Sequence, residues 1–266
     1  MDIFTYEFMQ RAFLAGILVA VLCPIIGLFI VIKRQSLIGD GLGHIAFAGV
    51  TGGSLLHIYP VLGAAIFTAL AAVGIEIVRR RQNQYADMIL ALVFYTGLAL
   101  AVIFSTMAKM PSTGILSFLF GSILTVTTQD IILIMIVGAI VIGILKFVYN
   151  DLLLTSFDEE IARVSGVNVN RVNMLFSILT AFVVVMGMSV VGILLISALM
   201  IIPVASAHLW KVGFKKTLFY AIAYAFMAVI LGLLAAFKLD MSPGGTIVIM
   251  AVLMYILTFG VSATRH

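Results

Sequence analysis

Asp40 and His44 stand four residues apart in Leu37-Ile-Gly-Asp-Gly-Leu-Gly-His-Ile-Ala-Phe-Ala-Gly49, near the start of a long apolar run. In a helix that spacing puts both side chains on one face, so a carboxylate oxygen and an imidazole nitrogen converge on one point. Such a pair suits borderline divalent cations such as zinc, manganese or iron; oxygen-only sites favour calcium or magnesium, and sulfur-rich sites copper(I). Two ligands do not complete a coordination shell, but duplication across a two-fold axis between two copies of the chain would supply four around a central pathway. Gly39, Gly41 and Gly43 interleave with the pair and permit either a locally unwound or a closely packed backbone. Asp40 also reads as the only acidic side chain well inside an apolar run. The competing roles are structural: Asp40 snorkelling to water or pairing with Lys33 or Arg34, and His44 packing as a hydrogen-bonded core residue. Ionisable groups inside a membrane are functional by default, which favours the ligand role.

A second constellation is Thr155-Ser-Phe-Asp-Glu-Glu-Ile-Ala-Arg-Val-Ser-Gly166, which carries the marks of a helix of about three turns. Ser156, three residues before Glu159, fits a capping box; acidic residues fill the first turn, and Gly166 can terminate the helix. Phe157, Ile161 and Val164 recur at helical spacing and form an apolar face, with Asp158, Glu159 and Arg163 elsewhere. A helix of this kind wants a partner surface; its plainer role is to lie on the membrane interface.

The elements that must position these groups follow from composition. Of 266 residues, 64% are hydrophobic and only 10% charged, with a mean hydropathy of +1.27. That is too little charge to cover a water-soluble core of this size. Apolar runs long enough for one helical span occur at roughly 12–32, 37–58, 61–78, 88–107, 131–149, 172–190, 191–209, 217–236 and 245–262. The expectation is an all-α, polytopic membrane protein of nine transmembrane helices, or eight, since only Met186-Gly-Met-Ser189 separates the sixth and seventh runs. With the amino terminus outside, twelve of the fifteen Lys and Arg residues fall on the cytoplasmic side, leaving Arg11, Lys109 and Lys238 outside. Positive charge flanking spans is retained in the cytoplasm, so this orientation is expected, with a cytoplasmic carboxyl terminus and loops 79–87, 150–171 and 210–216 inside.

No repeat or linker divides the chain, which reads as one membrane domain over 1–266 with its longest cytoplasmic loop at 150–171. The acidic start Met1-Asp-Ile-Phe-Thr-Tyr-Glu7 and the long apolar stretch after Arg11 argue against a cleaved targeting segment. Pro111–Gly121 is too short to span and too apolar for a free loop; a re-entrant helix on the outer side and a disordered connection are the two readings. The single cysteine, Cys23, excludes an intrachain disulfide and reads as a buried thiol. His57 and His208 sit at span boundaries, and the fourteen Met residues are not grouped with Cys or His, so copper ligation is disfavoured. No Gly-x-x-x-x-Gly-Lys-Ser/Thr phosphate loop, no His-Glu-x-x-His and no nucleophile paired with a base are present. A transport subunit rather than an enzyme is expected, with no nucleic-acid partner.

Lys33-Arg-Gln-Ser-Leu-Ile-Gly-Asp-Gly-Leu-Gly-His44 resembles the opening of the second helix in the zinc/manganese/iron permease family of ABC importers, where the pattern is Arg-Arg-x-Ser-Leu-x-x-Asp-x-x-Ser-His. Lys33 replaces the first Arg and Gly43 the Ser, and neither departure removes a proposed ligand. Glu160-Ile-Ala-Arg-Val-Ser-Gly166 is similar to the Glu-x-Ala-x-x-x-Gly core of the loop by which such permeases engage their ATPase, without the second half of that signature. The likeness extends through Ala198–Ala207 and Ser242–Val248 and so covers nearly the whole chain. It implies that Asp40 and His44 coordinate the transported metal, with no permanently bound cofactor, and that Ser156, Asp158, Glu159, Glu160, Ala162 and Gly166 form the ATPase-coupling element. The implied partners are a cytoplasmic ABC ATPase dimer, an extracellular metal-binding protein, a second permease subunit as a homodimer, and membrane lipid. Overall likeness inclines the cargo toward zinc, with manganese or iron next. A metal chelate or cobalamin as cargo, and an ion-coupled secondary transporter, are the alternatives; an embedded Asp is typical of the latter too.

Overall fold

The computed structural model describes residues 6–81, 86–122 and 126–263. Among them the chain forms twelve helices and no strand: α1 (Glu7–Ile32), α2 (Ile38–Leu55), α3 (Pro60–Arg81), α4 (Ala86–Met107), α5 (Ser112–Phe120), α6 (Thr128–Phe147), α7 (Tyr149–Phe157), α8 (Glu159–Val164), α9 (Val169–Val191), α10 (Ile193–His208), α11 (Phe214–Leu239) and α12 (Pro243–Ala263). Residues 1–5, loop residues 82–85 and Arg265, on which parts of the expected orientation rest, lie outside the described residues.

Seven helices, α1, α3, α4, α6, α9, α11 and α12, are long and apolar enough to cross a membrane. The remaining two of the nine apolar runs form α2, an 18-residue helix carrying Asp40 and His44, and the 16-residue α10. A helix satisfies its own backbone hydrogen bonds, which is why long apolar runs become helices where water is scarce. The outer helices remain apolar on both faces. Leu92 and Val102 on α4, and Ile136 and Ile140 on α6, are exposed on the outside of the bundle.

α2 is enclosed instead. It packs against α3, α4, α9 and α10, and fifteen of its eighteen residues are buried, His44 and Thr51 among them. Glycine permits this close approach. A Cβ on Gly49 would stand 2.6 Å from the Gly63 carbonyl oxygen on α3, and one on Gly39 would stand 2.9 Å from Ser197 Cβ on α10. Because α2 is continuous from Ile38 to Leu55, the glycines around Asp40 serve close packing and not local unwinding.

Three local outcomes differ from, or decide between, the sequence expectations. The break between the sixth and seventh runs falls at Gly192, whose φ of +93° suits glycine, rather than at 186–189. There α9 folds back into α10, with the Gly187 Cβ position only 2.0 Å from Ile196 Cδ1. Pro111–Gly121 is helical: α5 is nine residues long and rests on α9, α10 and α12. The 155–166 segment is not one helix of three turns, because extended Asp158 (φ −155°, ψ 111°) divides it into the end of α7 and a six-residue α8.

Candidate functional site

Asp40 lies in the first turn of α2, immediately after a tight connection from α1. The Gln35 amide donates to the Ile30 carbonyl at 3.0 Å, Arg34 takes a left-handed φ of 55°, and the Ile38 amide donates to the Gln35 carbonyl at 2.9 Å. The Asp40 carboxylate accepts a short hydrogen bond from the Ser197 hydroxyl of α10. Intramembrane hydrogen bonds of this kind contribute only about 0.6 kcal/mol on average, so Ser197 orients the carboxylate more than it holds two helices together. Ser197 was invisible to sequence reasoning, because a single hydroxyl in an apolar helix reads as filler.

His44 is buried at 7% exposure, one turn further along α2. Its ring meets Phe94 of α4 edge-on, with centroids 4.3 Å apart, and among the described residues its Nδ1 has no hydrogen-bond partner. A buried nitrogen without a hydrogen-bond partner costs free energy, so packing alone leaves Nδ1 unsatisfied. Asp40 likewise makes no ion pair with Lys33 or Arg34 among the described residues; Lys33 donates to Asn173 instead. Asp40, but not His44, lines a cavity of about 210 Å³ together with Leu37, Leu90, Ala91, Phe94 and Tyr95. Tyr95 and Leu37 are 66% and 52% exposed, so the cavity lies on an uncovered face of the chain. No group of three or more His, Cys, Asp or Glu side chains that could hold a metal ion gathers among the described residues.

Asp40 is not the only acidic group well inside an apolar run. Glu76 on α3 is 2% exposed, but Arg79 neutralises it at 3.0 Å with Arg80 at 3.8 Å, and it belongs to a polar cluster at the end of the bundle that holds Lys33.

In the 150–171 loop the N-cap is Asp158, not Ser156. The Asp158 carboxylate accepts from the amides of Glu160 and Ile161 at 2.9 and 3.0 Å, whereas Ser156 lies inside α7 and donates to the Leu152 carbonyl at 2.6 Å. The carboxylate wins because it is placed two and three residues before those free amides and carries charge to a helix amino terminus. Gly166 ends the element with φ +84°, its amide donating to the Arg163 carbonyl at 3.1 Å. Ala162 is fully buried and seats α8 on the bundle, while Glu160 is exposed. Glu159 turns inward, accepting from Asn173 at 2.8 Å and lying 3.9 Å from Arg79. Phe157, Ile161 and Val164 are 66%, 55% and 90% exposed, an apolar strip with no cover from this chain.

Comparison with known proteins places this arrangement in a family. The ABC 3 transport family profile matches residues 5–262. The "Probable metal transport system membrane protein" of Treponema pallidum (strain Nichols) is 35% identical, covering 97% of this chain and 96% of the relative. The manganese import system permease protein ScaB of Streptococcus gordonii is 32% identical over 98% of this chain and 94% of its own length. The high-affinity zinc uptake system membrane protein ZnuB of Haemophilus influenzae is 27% identical over 95% and 97%. Among solved structures, PsaBC from Streptococcus pneumoniae in complex with Fab contains a chain that superposes with a TM-score of 0.86 at 31% identity, covering 96% of this chain and 91% of that one. With its fold, its enclosed α2 and its full-length likeness to membrane proteins of metal transport systems, the chain is a multi-pass membrane permease belonging to the ABC 3 transport family.

Proposed function

We propose that this chain is the membrane-spanning subunit of an ATP-driven importer that carries a bare divalent cation, manganese or zinc, through a pathway lined by Asp40 and His44. The observation that carries the reading is the placement, one turn apart on α2, of a carboxylate oriented by Ser197 and a buried imidazole whose Nδ1 has no hydrogen-bond partner among the described residues. A second permease copy across a two-fold axis supplies the other two ligands, since one chain offers too few to replace a cation's water. Nine crossings, with α2 and α10 as the two short ones, complete the topology. The cargo is widened from zinc to manganese or zinc. Oxygen and nitrogen ligands accept both ions, and relatives bearing manganese names reach 32% identity against 27% for the zinc relative. In vesicles reconstituted with its ATPase and binding protein, the permease should take up manganese or zinc only when ATP is supplied. Uptake driven by an ion gradient without ATP, or uptake of a metal chelate in place of the free ion, would overturn the assignment.

The amino terminus is outside and α8 cytoplasmic, a reading supported by the twelve-to-three division of basic residues. There the strip of Phe157, Ile161 and Val164 docks on the ATPase. Val164→Asp places a charge where an apolar contact is needed and should weaken ATPase co-purification by about tenfold or more, as for a buried interface anchor. A cysteine label introduced at residue 158 should stay inaccessible from outside intact cells. Full ATPase retention by the Val164 variant, or ready external labelling at 158, contradicts this arrangement.

A further inference from the structure

At the end of the bundle that carries α8, side chains from four elements interlock around Asn173 of α9. Asn173 is 3% exposed; its Oδ1 accepts from Lys33 Nζ at 2.5 Å, and its Nδ2 donates to Glu159 Oε1 at 2.8 Å. An ammonium only donates and a carboxylate only accepts, so the group between them must accept at one atom and donate at the other. An amide does both. A carboxylate there would satisfy Lys33 but repel Glu159, and an apolar side chain would leave both ends unsatisfied. Burial, with Arg79 close by, pushes the Lys33 ammonium down to about 8 against the pull of Glu159 and Glu76. The ammonium also lies over the Phe176 ring, 5.7 Å from its centroid. Its acceptor on Asn173 is therefore a contact that a poorly solvated charge depends on.

The two ends of this bridge lie at consequential places. Lys33 is the C-cap of α1 and the first residue of the stiff turn that leads, seven residues on, to Asp40. Glu159 is the first residue of α8, held to α3 and to its own helix by Arg79 at 3.9 Å and Arg163 at 3.8 Å. Two hydrogen bonds and one tight turn thus connect α8 to the first turn of α2, where Asp40 accepts from Ser197 of α10.

Resting on the importer reading above, we propose that Asn173 is a positioning residue that links the docking helix to the metal site, setting the placement of Asp40 according to the position of α8. It touches neither ATPase nor cation; it acts through Lys33 and Glu159. Its removal should leave ATP hydrolysis running and disconnect it from transport.

The test uses the full complex in vesicles and reads two rates, ATP hydrolysis and manganese uptake. For Asn173→Asp and Asn173→Leu, uptake per ATP should fall by roughly tenfold, within the range of coupling carried by such networks, while hydrolysis stays within about twofold of the unaltered complex. The double variant Asn173→Asp/Glu159→Gln exchanges acid and amide, so that Lys33 keeps an oxygen acceptor and position 159 now donates to position 173 in place of the repulsion. It should restore most of the lost uptake per ATP, a recovery that a generally weakened fold would not give. If Asn173→Leu does not assemble, Asn173→Asp, similar in size and shape, and its exchange partner decide. Unchanged uptake per ATP in Asn173→Asp, or no recovery in the double variant, overturns the link. Absence of ATP-dependent uptake by the unaltered complex overturns the importer reading and this link with it.

Discussion

Asp40→Ala should lower ATP-driven manganese or zinc uptake by about a hundredfold or more, since loss of even an outer-shell partner costs a metal site about ten- to a hundredfold. In the proposed two-fold site the substitution would remove negative charge from both halves, and a dication that has shed water would find nothing comparable nearby. Glu76 cannot substitute, because Arg79 and Arg80 already neutralise it. Membrane insertion and ATPase binding should persist: α2 is held by its glycine contacts with α3 and α10, and α8 is capped independently by Asp158. His44→Ala should cost less, about tenfold, and shift preference from zinc toward manganese, because imidazole favours zinc over harder cations. Uptake and bound metal, measured on assembled variants, check both. Wild-type uptake by Asp40→Ala would remove the proposed site, and misassembly of that variant would favour the structural role for Asp40.

The second large effect is on assembly. Gly27→Val should abolish recovery of folded permease, whereas Gly143→Val should be tolerated. A Cβ on Gly27 would stand 1.9 Å from the Met200 carbonyl oxygen, so α1 and α10 must separate before any side chain fits, and backbone cannot yield as a flexible side chain can. Overpacking costs about 1–3 kcal/mol even where side chains can adjust, and more is expected here. Met200 is one turn from Ser197, so the same displacement would also disturb the carboxylate of Asp40. A Cβ on Gly143 meets nothing within 4 Å. Monodisperse yield and Tm in detergent distinguish the two; equal behaviour would mean that the α1–α10 contact is looser than described.

These two glycines divide what is local from what is not. Ile25-Ile-Gly27-Leu-Phe29 and Val141-Ile-Gly143-Ile-Leu145 are nearly interchangeable as sequence. Both form helix because apolar length in a water-poor setting demands satisfied backbone hydrogen bonds, and that much is decided by neighbouring residues alone. The placement of Asp40 and His44 on one helical face, the termination of α8 at Gly166 and the family likeness are local in the same sense, since each depends on spacings of a few residues. The position of the turn at Gly192, the cap at Asp158 in place of Ser156 and the burial of Glu76 each needed the packed structure, because several nearby residues could have served. The partners of the site were beyond any local signal. Ser197 reaches Asp40 across 157 residues and Asn173 reaches Lys33 across 140. A hydroxyl or an amide in an apolar run carries no mark of what it will face, because that is set by which helices pack together and at what height. The sequence alone thus determined that this chain has apolar runs long enough to cross a membrane and places a carboxylate and an imidazole on one helix face. Only the tertiary structure decided that Ser197 meets that carboxylate and that Asn173 bridges Lys33 and Glu159, because those contacts exist only once distant helices are packed.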